Sequence, residues 1–93
     1  MSAPARLRDE LGLLLGAMAH PPLDAAALGD TTPIFEGGLA LDSVDVLELV
    51  VMLEERFGVA ANADQVAGED FATFGRLVAF VGDRLAQAAR TGA

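Results

Sequence analysis

The chain has 93 residues, enough for one small domain with a single modest core and too few for a second. Fourteen acids against six arginines and no lysine give a formal net charge of −8, which excludes nucleic-acid binding through phosphate neutralisation and favours basic protein surfaces as partners. A hydrophobic fraction of 53% excludes intrinsic disorder, and the lack of cysteine excludes disulfides, thiolate metal sites and a cysteine nucleophile.

Leu7, Leu11, Leu14 and Met18 recur at three- and four-residue spacing and predict a first amphipathic helix over about residues 4 to 19. Pro4 suits its first turn, and Pro21-Pro22 ends it. The apolar run 11–19 contains Ala17-Met18-Ala19, which mimics a leader-cleavage site. Asp9 and Glu10 stand directly before it, where a leader needs positive charge, and the run is too short to cross a membrane. A buried helix in a cytoplasmic protein is the expectation. His20, ahead of Pro21, reads as a helix-end residue facing the terminal carbonyls.

Residues 20 to 42 form a long connection, and a loop of this length in a small domain is commonly functional. Leu23, Leu28, Ile34, Phe35 and Leu39 are expected to pin it to the bundle, with a short helical turn over 24–28. A second helix follows over about residues 43 to 57 and stops at Gly58, a left-handed cap. Asn62 and Gln65 resemble a capping pair for one short helix near 63–68. Thr73 reads as the N-cap of a last helix with Phe74, Leu77, Val78, Val81 and Leu85 on one face. Alternation of period two is nowhere sustained, so no strand is expected. The fold class is therefore all-α: three longer helices and one short one, with a long first loop, in a single domain over 1–93. Its helical core covers about residues 4 to 86, with frayed ends.

The stretch 37–59 carries the chemistry. Asp42 can accept hydrogen bonds from the free N–H groups of the second helix's first turn, and Asp45 adds negative charge near the same end. Ser43 then stands at the first helical position with its hydroxyl exposed. A phosphodiester built on that oxygen would meet unsatisfied N–H donors and the positive end of the helix dipole, so the place suits a covalently attached phosphate.

At about 100° per residue, Val46, Val50, Leu53 and Phe57 form a core stripe. Val44, Glu48, Val51 and Glu55 fall on nearly the opposite side. Two valines between two glutamates can form an apolar and acidic strip for docking a basic groove. They can equally be isolated exposed valines, which are ordinary. Both readings stand on the wheel alone.

The run Leu41-Asp42-Ser43-Val44-Asp45, with Glu48-Leu49, Glu54-Glu55 and Phe57-Gly58-Val59 after it, resembles the acyl carrier protein family over about residues 4 to 86. The resemblance implies a four-helix bundle, a freestanding and monomeric carrier of the type II class. It implies 4′-phosphopantetheine attached to Ser43, with Asp42 as the flanking acid, delivered from coenzyme A by a phosphopantetheinyl transferase. The arm supplies the thiol that the chain lacks and carries acyl groups as thioesters for fatty-acid or polyketide biosynthesis. Val44, Asp45, Glu48, Val51 and Glu55 would face partner enzymes such as an acyltransferase or ketosynthase, whose docking surfaces are basic. The chain itself would catalyse nothing and hold no metal. Many family members have glycine three residues before the serine, where this chain has Ala40, and helix two carries Val46 and Arg56 among fewer acids than many fatty-acid carriers.

Rival classes lack their constellations. His20 is the one candidate base and no Gly-x-Ser-x-Gly elbow occurs, which argues against a serine hydrolase. No Asp-x-Asp-x-Asp-Gly loop with a trailing Glu exists for calcium. The remaining alternative is an unmodified acidic adaptor, in which Ser43 is simply a helix-start serine.

Overall fold

A computed structural model describes residues 3–91, and the side chains of residues 6–88. Four α-helices run in the order α1 (Ala3–Met18), α2 (Ser43–Met52), α3 (Ala63–Ala67) and α4 (Phe74–Thr91). Single 3₁₀ turns interrupt the connections at Ala25–Ala27 and Glu69–Phe71. The expected all-α fold class and the four helices are therefore present, and the described residues contain no strand, only an isolated bridge between Pro33 and Thr73. The two terminal residues at each end, where fraying was expected, lie outside the described residues.

The core gathers one face from each long helix. Leu7, Leu11 and Leu15 come from α1, Val46 and Leu49 from α2, and Phe74, Leu77, Phe80 and Val81 from α4. Phe71 closes the base, its ring 5.8 Å from that of Phe80 in a tilted arrangement. Leu15 and Leu49 are fully buried although the spacing assigned them to neither stripe. Leu14, Met18, Val50 and Phe57, which it did assign, are only partly buried. The apolar stripe of each helix is thus wider than the narrow seam read from the sequence, because each helix packs against more than one neighbour.

The long connection is held through its backbone. Its carbonyls supply the acceptors that the first turn of α4 lacks: Phe74 N–H donates to Thr32 at 2.8 Å and Gly75 N–H to Asp30 at 3.0 Å. Thr73 completes the cap, its Oγ1 accepting from Arg76 N–H at 3.2 Å. Arg8 then bridges α1 to the loop through Asp30 at 2.6 Å and lies over the Phe74 ring. Leu28, Ile34 and Leu39 are buried beneath this connection, with Phe35 half-buried. Leu23 departs from expectation and is exposed. Its backbone does the holding instead: its N–H donates to Gly16 at 2.8 Å, and its carbonyl comes so close to Gly16 that a Cβ there would stand only 2.3 Å from it. With the main chain pressed onto α1, the side chain points away.

The second helix also departs from a simple α-helix. After Met52 it widens into a π-helical turn over Leu53–Phe57. Each residue of an i→i+5 turn rotates by less than in an α-helix, so the wheel angle fails over this stretch. Phe57 consequently ends half-buried, where continuous α-helical rotation predicted a core position. Gly58 then stops the helix as expected, at φ +70°, its N–H donating to Glu54 at 3.0 Å.

Candidate functional site

The first turn of α2 is built by a capping box. Asp42 Oδ1 accepts from Asp45 N–H at 2.9 Å, and Asp45 Oδ2 accepts from Asp42 N–H at 3.1 Å. Val46 N–H takes the Asp42 carbonyl at 3.0 Å. No acceptor within the described residues meets the N–H groups of Ser43 and Val44, so two donors remain at the positive end of the helix. Ser43 is the first residue of α2 and is exposed, as its place in the sequence predicted.

The side chain of His20 enters this cap from the end of α1. Its Nε2 lies 2.6 Å from Asp45 Oδ2, and its backbone N–H donates to the Leu39 carbonyl at 3.0 Å. This corrects the expectation that His20 faces the terminal carbonyls of α1: the chain folds back so that a carboxylate, a stronger acceptor, lies within reach. The hydrogen bond to Asp45 and then the charge of that carboxylate raise the imidazole above its ordinary pKa of 6.5. Asp45 is lowered in turn, first by the Asp42 N–H and then by His20. Donor atoms of His20, Asp42 and Asp45 all lie within 4.8 Å of one another, and each side chain is already engaged in this network.

Beside the serine opens a groove of about 630 Å³ between α2 and α3. Its walls are aliphatic and aromatic, from Phe35, Leu41, Val46, Val50, Ala61 and Val66, and its polar rim is Asp42, Ser43 and Asn62. Leu47 stands at the edge, 67% exposed. Sequence reasoning missed both the groove and Leu47. Leu47 lies on neither face of the wheel, and the opposite wall comes from a helix some twenty residues later.

On the outer side of α2, Val44 and Val51 are 65% and 52% exposed, with Glu48 and Glu55 exposed between and beyond them. The strip lies outside the core as the wheel placed it, and the widening after Met52 carries Glu55 on the π turn. Asp45 is turned inward to the cap and is only partly exposed. Among the described residues, no helix is long and apolar enough to cross a membrane.

The family model for the phosphopantetheine attachment site matches residues 5–81. The chain belongs to the phosphopantetheine attachment-site family. Its prosthetic group is 4′-phosphopantetheine, and its general role is that of a phosphopantetheine carrier protein. Carrier domains of this family are non-catalytic. No curated protein and no solved structure shows significant similarity to the chain. The attachment-site family needs an accessible acceptor for a phosphodiester. The start of α2 fits that need, with the exposed Ser43 hydroxyl, the open N–H donors of Ser43 and Val44 and the helix dipole at one end. When bound, the arm supplies the thiol on which acyl groups are carried.

Proposed function

We propose that Ser43 is the residue bearing the phosphopantetheine arm, with Asp42 as its flanking acid, in a cytoplasmic carrier of type II fatty-acid or polyketide biosynthesis. The observation that carries this reading is the exposed Ser43 hydroxyl on the first residue of a capped helix, directly at the mouth of an apolar groove. Ser2 is the one other serine in the sequence. A phosphopantetheinyl transferase loads the arm from coenzyme A, and acyltransferase or ketosynthase partners then engage the protein. Val44, Glu48, Val51 and Glu55, with Asp45 at the near end, form the docking surface, apolar and acidic against a basic groove. The hydrocarbon lining of the groove favours an aliphatic cargo over a chain of polar ketones, because a buried carbonyl would find no donor along those walls.

The test is intact mass after incubation with a transferase and coenzyme A. Wild-type protein is expected to gain one arm and Ser43→Ala none, while the variant melts within about 0.5 kcal/mol of wild type. An arm appearing on Ser43→Ala would overturn the assignment. In the same assay Glu48→Arg should load more slowly at low salt and recover as salt rises; an unchanged rate at low salt removes Glu48 from the docking surface.

A further inference from the structure

The carrier reading gives His20 no role, yet among the described residues its imidazole is the single basic side chain in contact with the acids around Ser43. Through Asp45 Oδ2 it ties the end of α1 to both residues that bracket the serine, since that oxygen also accepts from Asp42 N–H. Its own backbone bond to Leu39 fixes the ring's anchor against the segment leading into α2. The Asp45 side chain is 18% exposed and the imidazole 57%, so the link lies on the rim and can open without unfolding the core.

Taken only as a rim ion pair, such a contact is worth little. Its place gives it more consequence. Modification requires Ser43 Oγ to bond to the pantetheine-side phosphorus of coenzyme A. The P–O bond to adenosine 3′,5′-bisphosphate breaks, that product leaves, and the serine proton passes to the transferase or solvent. The incoming pyrophosphate is anionic and approaches a serine flanked by Asp42 and Asp45. An imidazolium on Asp45 offsets that local charge and braces the turn that carries the nucleophile.

Resting on the assignment of Ser43 as acceptor, we infer that His20 is a positioning residue for the loading reaction, clamping Asp45 against the first turn of α2 and offsetting its charge as coenzyme A arrives. The charged groups acting on the imidazole are Asp45 and Asp42, both at the start of α2. Both favour the protonated ring, which therefore keeps its proton above pH 6.5 and loses it as pH rises further.

The experiment compares wild type, His20→Ala and His20→Arg as substrates of one transferase from pH 6 to 8.5. Every rate is expressed relative to wild type in the same buffer, so the transferase's own pH profile cancels. At pH 6, His20→Ala should lower kcat about three- to tenfold and move KM for the carrier by less than about twofold. That deficit should shrink as pH rises and wild type loses its imidazolium, and His20→Arg should keep at least about half of the wild-type rate at pH 6. No deficit, a deficit independent of pH, a loss confined to KM, or failure of the arginine to rescue would each overturn the inference. An independent readout is the histidine ring titration by NMR. Its midpoint should lie above 6.5 in wild type and fall in Asp45→Asn, and an unmoved midpoint overturns the clamp. If wild type accepts no arm at all, the assignment of Ser43 falls and takes this inference with it. If wild type loads normally with a flat ratio, only the role of His20 falls.

Discussion

The starts of α2 and α3 carry the same device on two sides of one groove. Asp42 and Asp45 exchange hydrogen bonds at 2.9 and 3.1 Å, and Asn62 and Gln65 do so at 2.9 Å each way. Asp42, Ser43, Asn62 and Ala63 all line the groove. Beyond the box the two ends part. At α2 the box is anionic, the next residue offers a hydroxyl, and His20 braces it from outside. At α3 the box is neutral and the next residue is an alanine, on a helix of five residues with none buried. Val46 and Leu49 root α2 in the core within two turns of its start. A satisfied cap therefore fixes where a helix begins, and nothing more. On the proposed assignment, the hydroxyl, the charge and the rigid backing are what fit one of the two starts to carry an arm.

The comparison breaks if cap geometry alone is enough for loading. In a chain carrying Ser43→Ala together with Ala63→Ser, the hydroxyl moves across the groove to the neutral box. Intact mass after transferase treatment should show no arm, an all-or-none effect against wild type. Loading at residue 63 would mean that any capped serine on this rim suffices, and that neither the acids nor the backing of α2 matters.

A smaller contrast separates the two boxes by stability. Replacing a capping side chain by alanine costs about 0.5–2 kcal/mol. Asp42→Ala should fall in the upper half of that range, because α2 belongs to the core, and Asn62→Ala in the lower half, because α3 buries no residue. The boxes should also part in acid. The folded pKa of Asp45 is lowered below 3.8, so its contribution is present above that value and lost as pH falls through the depressed one. The Asn62–Gln65 box has no group to titrate. Thermal melts at pH 7 and pH 3 should therefore show Asp45→Asn losing part of wild type's acid sensitivity and Gln65→Ala retaining all of it. Equal acid sensitivity in wild type and Asp45→Asn would mean that the bond to Asp45 contributes nothing across this range.

The Asn62–Gln65 box and the Asp42 cap were legible in the sequence because capping is a contact between residues three apart, whereas Asp45 was read only as charge near the helix end and its return bond to Asp42 N–H was not. Asp42 as a cap, Asn62 with Gln65, the Thr73 cap and Gly58 as terminator all needed only local reading. The exposure of Ser43 followed from its place at the helix start, and that of Val44 and Val51 from the rotation of one helix. What was not legible depends on segments meeting across the fold. His20 lies 25 residues from Asp45, and no periodicity links them. The groove exists only where α3 returns against α2. Leu49 at full burial was within reach, since it stands three residues after Val46 and four before Leu53. The π turn was not, because apolar spacing cannot distinguish a locally widened helix from a regular one over five residues.

The smallest expected effect concerns how the chain enters α2. Three residues before Ser43, where many acyl carrier proteins have glycine, Ala40 adopts φ +58°, the one non-glycine residue among those described with positive φ. Its N–H donates to the Phe35 carbonyl at 2.9 Å, and Leu41 N–H to the Ile34 carbonyl at 3.1 Å, so the backbone is held there by the turn that delivers Asp42 to its cap. An L-residue with a Cβ pays about 1–2 kcal/mol in the left-handed region. Glycine removes that strain but adds about 0.4–1 kcal/mol of unfolded-state freedom. Ala40 is exposed, so its methyl group contributes little packing. Ala40→Gly should therefore stabilise the protein by about 0.5–1 kcal/mol, which for a domain of this size raises Tm by about 2–8 °C. Gly58→Ala is the mirror test: at φ +70° with no neighbouring atom within 4 Å of the added Cβ, it should lower Tm by a similar amount through backbone strain alone. If Ala40→Gly melts lower than wild type while Gly58→Ala behaves as expected, the Ala40 methyl group must stabilise the α2 entry by more than its backbone strain costs.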